Sequence, residues 1–373
     1  MMKKKILVIN NSCHISGAEI SLLALLNSLN ETYDFTIVIP GTGELHSKLL
    51  NSNCKTKLFD LERFSKSRSF FGQLKWGFQA LSTALKISKD VRKQNFDIVY
   101  ANSNQSIIYA ILVKIFTGKE LIWHVRDNLK NRFIAQILTR FCHKLICISN
   151  YIYDQVPAKK TKKFLIYNGI DCNIWTPMDD EKPVVKELNL EKDILLVGHV
   201  GQIIPWKNYL DFIEILEIVL KEFKAVHFLI IGDDLFNKSS SYVTMVKKIV
   251  KERNLEKHVT FLGYKENIKH YINQLDILAH CATTEPFGRV VMEALALKKP
   301  VVAFHSGGVR EIITHHETGF LSPKNNHRQF ADNLLLLLKD SSLRSRFGNA
   351  GREEICEKFS LENVSREIHK VID

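Results

Sequence analysis

The residues Glu285-Pro286-Phe287-Gly288-Arg289-Val290-Val291-Met292-Glu293-Ala294, followed by Leu295-Ala296-Leu297-Lys298-Lys299-Pro300-Val301-Val302-Ala303-Phe304 and the turn Ser306-Gly307-Gly308, hold one complete repeat of the chain's pattern. A loop ending in glycine opens a helical stretch, Arg289–Leu297. A short apolar run follows at Val301–Phe304, and a second glycine-rich turn leads on. A short run that is almost entirely apolar fits a strand covered on both faces, as in parallel sheets. In such sheets ligands bind outside the carboxyl ends of the strands, in the loops that lead into helices.

Outward from this stretch the same alternation covers the chain. In the second half the sequence predicts strands at Ile194–Gly201, Val226–Ile231, Val259–Leu262, Ile277–His280 and Val301–Phe304, with helices at Tyr209–Lys221, Tyr242–Arg253, Arg289–Leu297 and Gln329–Leu338. The first half predicts strands at Lys5–Asn10, Phe35–Ile39, Asp97–Ala101, Leu121–Val125, Lys144–Ser149 and Phe164–Tyr167, with helices such as Ala18–Leu29 and Leu74–Lys93. Between the two series lies a polar stretch containing Thr176-Pro177-Met178-Asp179-Asp180-Glu181-Lys182-Pro183, which reads as a linker. The expected organisation is a Rossmann-like domain at 1–171, a linker at 172–193, a second Rossmann-like domain at 194–358 and a terminal helix at 359–373 that returns to the first domain. The fold class is α/β, with two doubly wound domains facing each other across a cleft.

Composition bounds the function. The chain has 373 residues, enough for two cores without disulfide support. With 45% hydrophobic and 25% charged residues it is not a disordered chain. Seven cysteines, an odd number with no CxxC, support neither a disulfide framework nor a zinc site and suit a reducing cytosol. The apolar run Ile6–Ile9 is too short for a signal-peptide core, and no spanning helix is expected. The charge is split unevenly. Residues 1–171 carry 25 Lys and Arg against 12 Asp and Glu, a net of +13, whereas residues 172–373 carry 27 against 28. A basic first half suggests an anionic partner, although a solvated surface is the plainer account.

Each strand-to-helix junction offers chemistry. At the first, Ser16-Gly17-Ala18-Glu19 opens a helix whose free N–H groups attract phosphate, but Ser-Gly is also an ordinary turn and cap. At the second, Gly201-Gln202-Ile203-Ile204-Pro205-Trp206-Lys207 brings Lys207 near a helix start. There it neutralises a phosphate or is simply a surface lysine, and spacing alone favours the latter. The third carries Glu285 and Glu293, eight positions or a little over two helical turns apart. Glu293 lies among apolar residues, where a carboxylate is costly unless paired or ligand-bound. A vicinal diol would satisfy it, and so would an ion pair with Arg289. His124 and Arg126 end a predicted parallel strand, which raises the expectation of a functional role there. Gly232-Asp233-Asp234 lacks a third carboxylate nearby, so no metal site is expected. GxSxG, HExxH and the P-loop pattern are absent.

Taken in order, these junctions resemble the retaining glycosyltransferases of family 4, which have the GT-B fold. The resemblance rests on the E-x7-E motif Glu285–Glu293. It is supported by Ser16-Gly17-Ala18-Glu19, Gly201-Gln202 with Pro205-Trp206-Lys207, Asn168-Gly169-Ile170-Asp171, Thr318-Gly319-Phe320-Leu321 and Phe359-Ser360. It implies a sugar-nucleotide donor held mainly by the second domain and an acceptor held mainly by the first. Glu293 matches the acid that binds the nucleotide ribose. Glu285 matches the acid that holds hydroxyls of the transferred sugar, with the segment Phe287, Gly288, Arg289 and Val290 also on the donor. Lys207 matches the lysine on the diphosphate, Gly17 the glycine turn whose amides approach it, and His124 the histidine near the reacting sugar. The family commonly has arginine where this chain has Gln202, which supplies no charge and no bidentate fork.

The resemblance further implies transfer with retention, by front-face attack or through a covalent glycosyl-enzyme. Neither cofactor nor metal is expected. The implied acceptor is a carbohydrate or a polyprenyl-linked glycan of bacterial surface polysaccharide. The expected location is the cytoplasm, peripheral at the inner face of the plasma membrane. A basic, aromatic-rich segment, Phe70-Phe71-Gly72-Gln73-Leu74-Lys75-Trp76-Gly77-Phe78, precedes a stripe Leu74, Phe78, Leu81, Leu85. An anionic membrane surface is one partner for that stripe, although packing on the chain's own sheet is the more ordinary fate. A nucleotide-sugar epimerase or a phosphorylase shares the fold and is an alternative. A nucleic-acid-binding role is disfavoured, because no zinc-finger or RRM-type pattern occurs.

Overall fold

The computed structural model describes residues 3–52, 54–64, 69–179, 182–234 and 239–373. The chain divides into two units, Met1–Gly169 with Leu361–Asp373, and Ile170–Ser360. Each is built on one parallel sheet.

The first sheet contains β1 (Lys5–Ile9), β2 (Asp34–Ile39), β3 (Lys55–Leu58), β4 (Ile98–Ala101), β5 (Glu120–Val125), β6 (Lys144–Cys147) and β7 (Lys163–Leu165). They lie in the order β3-β2-β1-β4-β5-β6-β7. The order reverses between β1 and β4, so Asn10 and Asn102 stand at the carboxyl ends of neighbouring strands, the usual ligand position of a doubly wound sheet. Ile6, Val8, Ile37, Ile98 and Ile122 are buried because helices cover both faces.

The second sheet contains β8 (Leu195–Val200), β9 (Val226–Ile231), β10 (Val259–Gly263), β11 (Ile277–His280), β12 (Val301–Phe304) and β13 (Gly319–Ser322), ordered β10-β9-β8-β11-β12-β13. Its reversal falls between β8 and β11. Gly201 therefore follows one of these strands and Cys281 the other. Every pairing in both sheets is parallel.

Two strands are absent from the sequence reading. β3 reads Lys-Thr-Lys-Leu and is a half-exposed edge, so it has no apolar run to reveal it. β13, Gly-Phe-Leu-Ser, is buried but only four residues long and begins with glycine. Cysteine arithmetic also needs correction. Cys172 and Cys356 form a disulfide. They lie 184 positions apart, so only the folded chain brings them together. That bond, together with Arg352 donating to the carbonyls of Trp175 and Cys172 (2.7 and 3.1 Å), joins the start of the expected linker to the Ser341–Lys358 helix. Further along, Lys182 pairs with Asp276 at 2.6 Å, and Val184 and Val185 are buried on the short Pro183–Glu187 helix. The stretch 172–193 thus packs as part of the second unit over its described residues.

The Leu361–Ile372 helix belongs to the first unit. Val364, Ile368, Val371 and Ile372 recur at one- to four-residue steps and enter that unit's core beside Leu22 and Leu26. The Ser28 and Ser365 hydroxyls meet at 2.6 Å, and Lys144 donates to the Val371 carbonyl at 2.6 Å. Ile368 is 1% exposed. Ile368→Ala is therefore expected to destabilise the first unit by about 2–5 kcal/mol, the usual cost of an aliphatic truncation in a packed core. Chemical denaturation followed by a first-unit probe checks this; an unchanged midpoint would mean the helix is only loosely docked.

Candidate functional site

In the second unit the loops after β8 and β11 carry the candidate residues. β8 runs into Gly201, whose φ of 145° favours glycine; a Cβ there would lie 3.3 Å from Lys207 Cε. Pro205–Lys207 is a single 3-10 turn. Asn208, in the left-handed region at φ 63°, starts the Tyr209–Glu222 helix. His199 and Tyr209 brace this loop from beneath. Their rings stack at 4.2 Å, the His199 Nε2 lies 3.0 Å from the Lys207 carbonyl, and Tyr209 donates to the Gly201 carbonyl at 2.7 Å. A carbonyl only accepts, so His199 carries its proton on Nε2. Burial pushes its pKa well below the usual value and keeps it neutral.

Lys207 is 9% exposed and Glu285 is 8% exposed. The Lys207 ammonium donates to Glu285 Oε2 at 2.6 Å, and His280 Nε2 stands 3.3 Å from the same oxygen. The surface-lysine reading of Lys207 is thereby overturned. A spacing argument sees one loop, whereas the buried partner arrives from a second loop 78 residues further on. Burial alone would raise the pKa of Glu285. Lys207 and His280 more than offset it and hold the carboxyl at about 2.

The Glu285 loop is fixed by backbone contacts. Gly308 N–H donates to the Glu285 carbonyl at 2.9 Å, Thr283 N–H to the Trp206 carbonyl at 3.1 Å, and Ser306 Oγ to the Ala282 carbonyl at 2.6 Å. Gly307, at φ 55°, passes so close that a Cβ would fall 1.9 Å from the Glu285 carbonyl oxygen. Only glycine fits there, which gives the Ser306-Gly307-Gly308 turn a packing role against this loop.

Gly288 caps the Arg289–Ala296 helix, which carries Glu293. Glu293 is 5% exposed, and Arg289 Nε lies 2.8 Å from its Oε1. The ion pair weighed against a diol ligand is thus present, and it leaves the question of a ligand to function. Burial raises the pKa of Glu293, with Arg289 opposing the rise. Phe287 turns its ring into the core against Phe359, so its backbone is the part left for a ligand. Val290 and Gln202 are half-buried.

The other two expected residues sit in the first unit. Gly17 opens the Gly17–Leu29 helix as a capping box, with Ser16 N–H donating to Glu19 at 3.0 Å. His124 ends β5 and is 2% exposed. Its Nδ1 lies 2.5 Å from the Tyr100 hydroxyl, and its buried Nε2 has no hydrogen-bond partner among the described residues. Burial, with Arg126 adding to it, pushes its pKa well below the usual value. Arg126 itself donates to Asn102 at 2.9 Å and to Asn168 at 2.7 Å, linking three strand ends.

The sequence reading passed over His280 and His199. Both are buried and both lie on strands at the reversal point of the second sheet. The signal was available for His280, because it ends a predicted parallel strand just as His124 does.

Comparison with known proteins places the chain as a whole. The family model "Glycosyltransferase Family 4" matches residues 15–174, and "Glycosyl transferases group 1" matches residues 180–354. N-acetyl-alpha-D-glucosaminyl L-malate synthase of Bacillus anthracis is 25% identical over 304 residues, covering 76% of each chain. The poly(ribitol-phosphate) alpha-N-acetylglucosaminyltransferase of Staphylococcus aureus is 31% identical over 220 residues, covering 58% of this chain and 43% of its own length. Among solved structures, Anabaena HepE in complex with UDP and glucose superposes with a TM-score of 0.86 at 22% identity, covering 99% of both chains.

Breaking the buried pair has a defined cost. Lys207→Ala leaves the Glu285 carboxylate buried without its ammonium and is expected to destabilise the second unit by about 3–5 kcal/mol. The double variant Lys207→Met/Glu285→Gln removes both charges and recovers most of that loss. Glu285 is held below its ordinary 4.5, so its stabilising contribution is complete above that pH and is lost as the pH falls toward about 2. Over that window the denaturation midpoint is expected to fall less steeply in Glu285→Gln than in the unchanged chain. Parallel profiles would contradict the ionised, paired Glu285.

Proposed function

The chain belongs to the GT-B glycosyltransferases of the family whose two halves match residues 15–174 and 180–354, and on that premise we propose the reaction it performs. It moves a sugar from a nucleoside-diphosphate sugar to a carbohydrate or polyprenyl-linked acceptor, with retention of anomeric configuration and without a metal. The reading takes the assembly of a cell-surface polysaccharide as its setting. The names of the Staphylococcus aureus relatives, a poly(ribitol-phosphate) N-acetylglucosaminyltransferase and a capsular polysaccharide glycosyltransferase, favour that setting. HepE structures holding UDP and UDP-glucose make a uridine diphosphate sugar the first donor to try.

One observation carries the proposal: a buried ammonium and two buried carboxylates of unlike environment, Lys207 and Glu285 on carboxyl-end loops of the second sheet and Glu293 on the helix that follows the second of those loops. Cleavage of the anomeric C–O bond builds positive charge on the sugar and negative charge on the departing diphosphate. Lys207 is the cation for that diphosphate, held in place by Glu285 before any donor arrives. Preorganised charge of this kind acts without reorganisation, and loss of one such donor typically costs about 100–1,000-fold in rate. Glu285 stays ionised and offers its oxygens to sugar hydroxyls. Glu293 accepts from the ribose diol, with Arg289 favouring its charged form. In the front-face reading the departing phosphate oxygen takes the acceptor's proton, so no carboxylate nucleophile is required.

Purified chain incubated with a panel of sugar nucleotides is expected to show one donor that raises the Tm and is consumed, releasing free nucleoside diphosphate. Glu293→Ala is expected to lower transfer by about 100-fold or more, measured at a temperature where the variant is folded, because losing the buried partner of Arg289 also lowers the Tm. The stability-restored Lys207→Met/Glu285→Gln double variant is expected to remain inactive. EDTA is expected to leave the rate unchanged, and NMR of the product to show the donor's anomeric configuration. Near-normal turnover in Glu293→Ala would contradict the assignment. An isomerised nucleotide sugar without transfer would favour an epimerase instead.

A further inference from the structure

The Phe70–Gln94 helix of the first unit reverses the expected arrangement. Its buried side is Ala80, Thr83, Ala84, Ile87, Ser88 and Val91. The larger apolar residues face water. Phe70, Phe71 and Phe78 are 70%, 81% and 73% exposed, and Leu74, Leu81 and Leu85 are exposed with them. The stripe Leu74, Phe78, Leu81, Leu85 runs in steps of four, three and four, one line along the helix, and exposed Lys89 takes the next step. The expectation that this stripe packs on its own sheet is therefore wrong. The inner side, mostly small residues with Ile87 and Val91, packs instead, and its main neighbour is the Ile107–Thr117 helix.

The neighbouring helices extend the feature. The Phe70–Gln94 helix packs along Ile107–Thr117, which packs along Arg132–Phe141. The last of these exposes Phe133, Ile134 and Ile137 between exposed Arg132 and Arg140. The three helices together carry eight Lys and Arg and a single acid, Asp90, which pairs with Lys57. No helix among the described residues is long and apolar enough to cross a membrane. Any lipid contact made by these helices is thus a surface contact.

Charge decides what covers this face. A second copy would bring eight cations against eight, which opposes self-association. An anionic bilayer surface matches both features. Phenylalanine and leucine enter the boundary between headgroups and acyl chains, while lysine and arginine reach the headgroup phosphates on flexible stems. We propose that these helices dock the chain on an anionic lipid bilayer, with Phe70, Phe71, Phe78 and Phe133 inserted and the surrounding cations on the lipid phosphates. The inference goes beyond the transfer reaction, and its test needs no turnover.

The test is flotation of the full chain with vesicles of phosphatidylcholine alone and of phosphatidylcholine with phosphatidylglycerol. The chain is expected to float with the anionic vesicles and far less with the neutral ones, and to be released by salt. Phe70→Ser/Phe71→Ser/Phe78→Ser is expected to weaken partitioning at least about tenfold at an unchanged Tm. Lys86→Glu/Lys89→Glu is also expected to weaken it, each lost cation accounting for about fivefold. Leu336→Ser, at an exposed leucine of the second unit, is expected to float like the unchanged chain. Equal flotation with both vesicle types would overturn the proposal, as would retention by the triple variant. It would equally fall if the chain ignored vesicles and instead formed a dimer in sedimentation that the triple variant abolished.

Discussion

A lysine and a glutamate that share almost no water set the terms for the second unit. A buried charge is costly without a partner, and each of Lys207 and Glu285 makes the other tolerable. The pair spans two loops from neighbouring strands. Forming it therefore also fixes those loops against each other at the point where the strand order reverses. The surrounding features serve that closeness. Gly201 leaves room for the lysine stem, Gly307 lets its turn lie against the Glu285 backbone, and His280 supplies a second polar contact to the same oxygen. The protein thereby stores an oriented ammonium in a poorly hydrated place, where its field on a neighbouring anion is strong.

The two carboxylates of the E-x7-E spacing are chemically unlike despite their shared sequence signature. Glu285 has an ammonium in contact and is held acidic; Glu293 is governed by burial and pushed the other way, with Arg289 as its counterweight. Opposite environments for like groups are the usual way one site separates two tasks. Here the proposed tasks are a permanent charge beside the sugar and a hydroxyl acceptor for the ribose. The histidines follow a different logic. His199, His280 and His124 are all neutral through burial, so they act through hydrogen bonds and shape rather than charge.

The first unit puts its unusual features on the outside. Its core is ordinary, with parallel strands under helices and the Leu361–Ile372 helix completing the packing. Its surface is not, because aromatic side chains stand in water among cations. Small residues on the inner side of the Phe70–Gln94 helix make that possible. They pack with little bulk against the rest of the unit, chiefly the Ile107–Thr117 helix, and leave the large apolar residues for another partner.

Alternation of apolar runs with amphipathic stretches was enough to fix two doubly wound units, since a strand covered on both faces must be apolar throughout. The E-x7-E spacing and its glycine turns were enough to identify the family. The resemblance drew attention to the loop residues of the candidate site but not to the histidines beneath it. It did not reveal the edge strand Lys55–Leu58, whose half-exposed position imposes no apolar pattern, or the bond between Cys172 and Cys356. Nor did it tell a surface lysine from a buried one at position 207, or an inward stripe from an outward one on the Phe70–Gln94 helix. Those outcomes depend on which residues, far apart along the chain, meet in space. Periodicity records the repeat of a face but not its direction, and a charge reveals its depth only when its partner arrives.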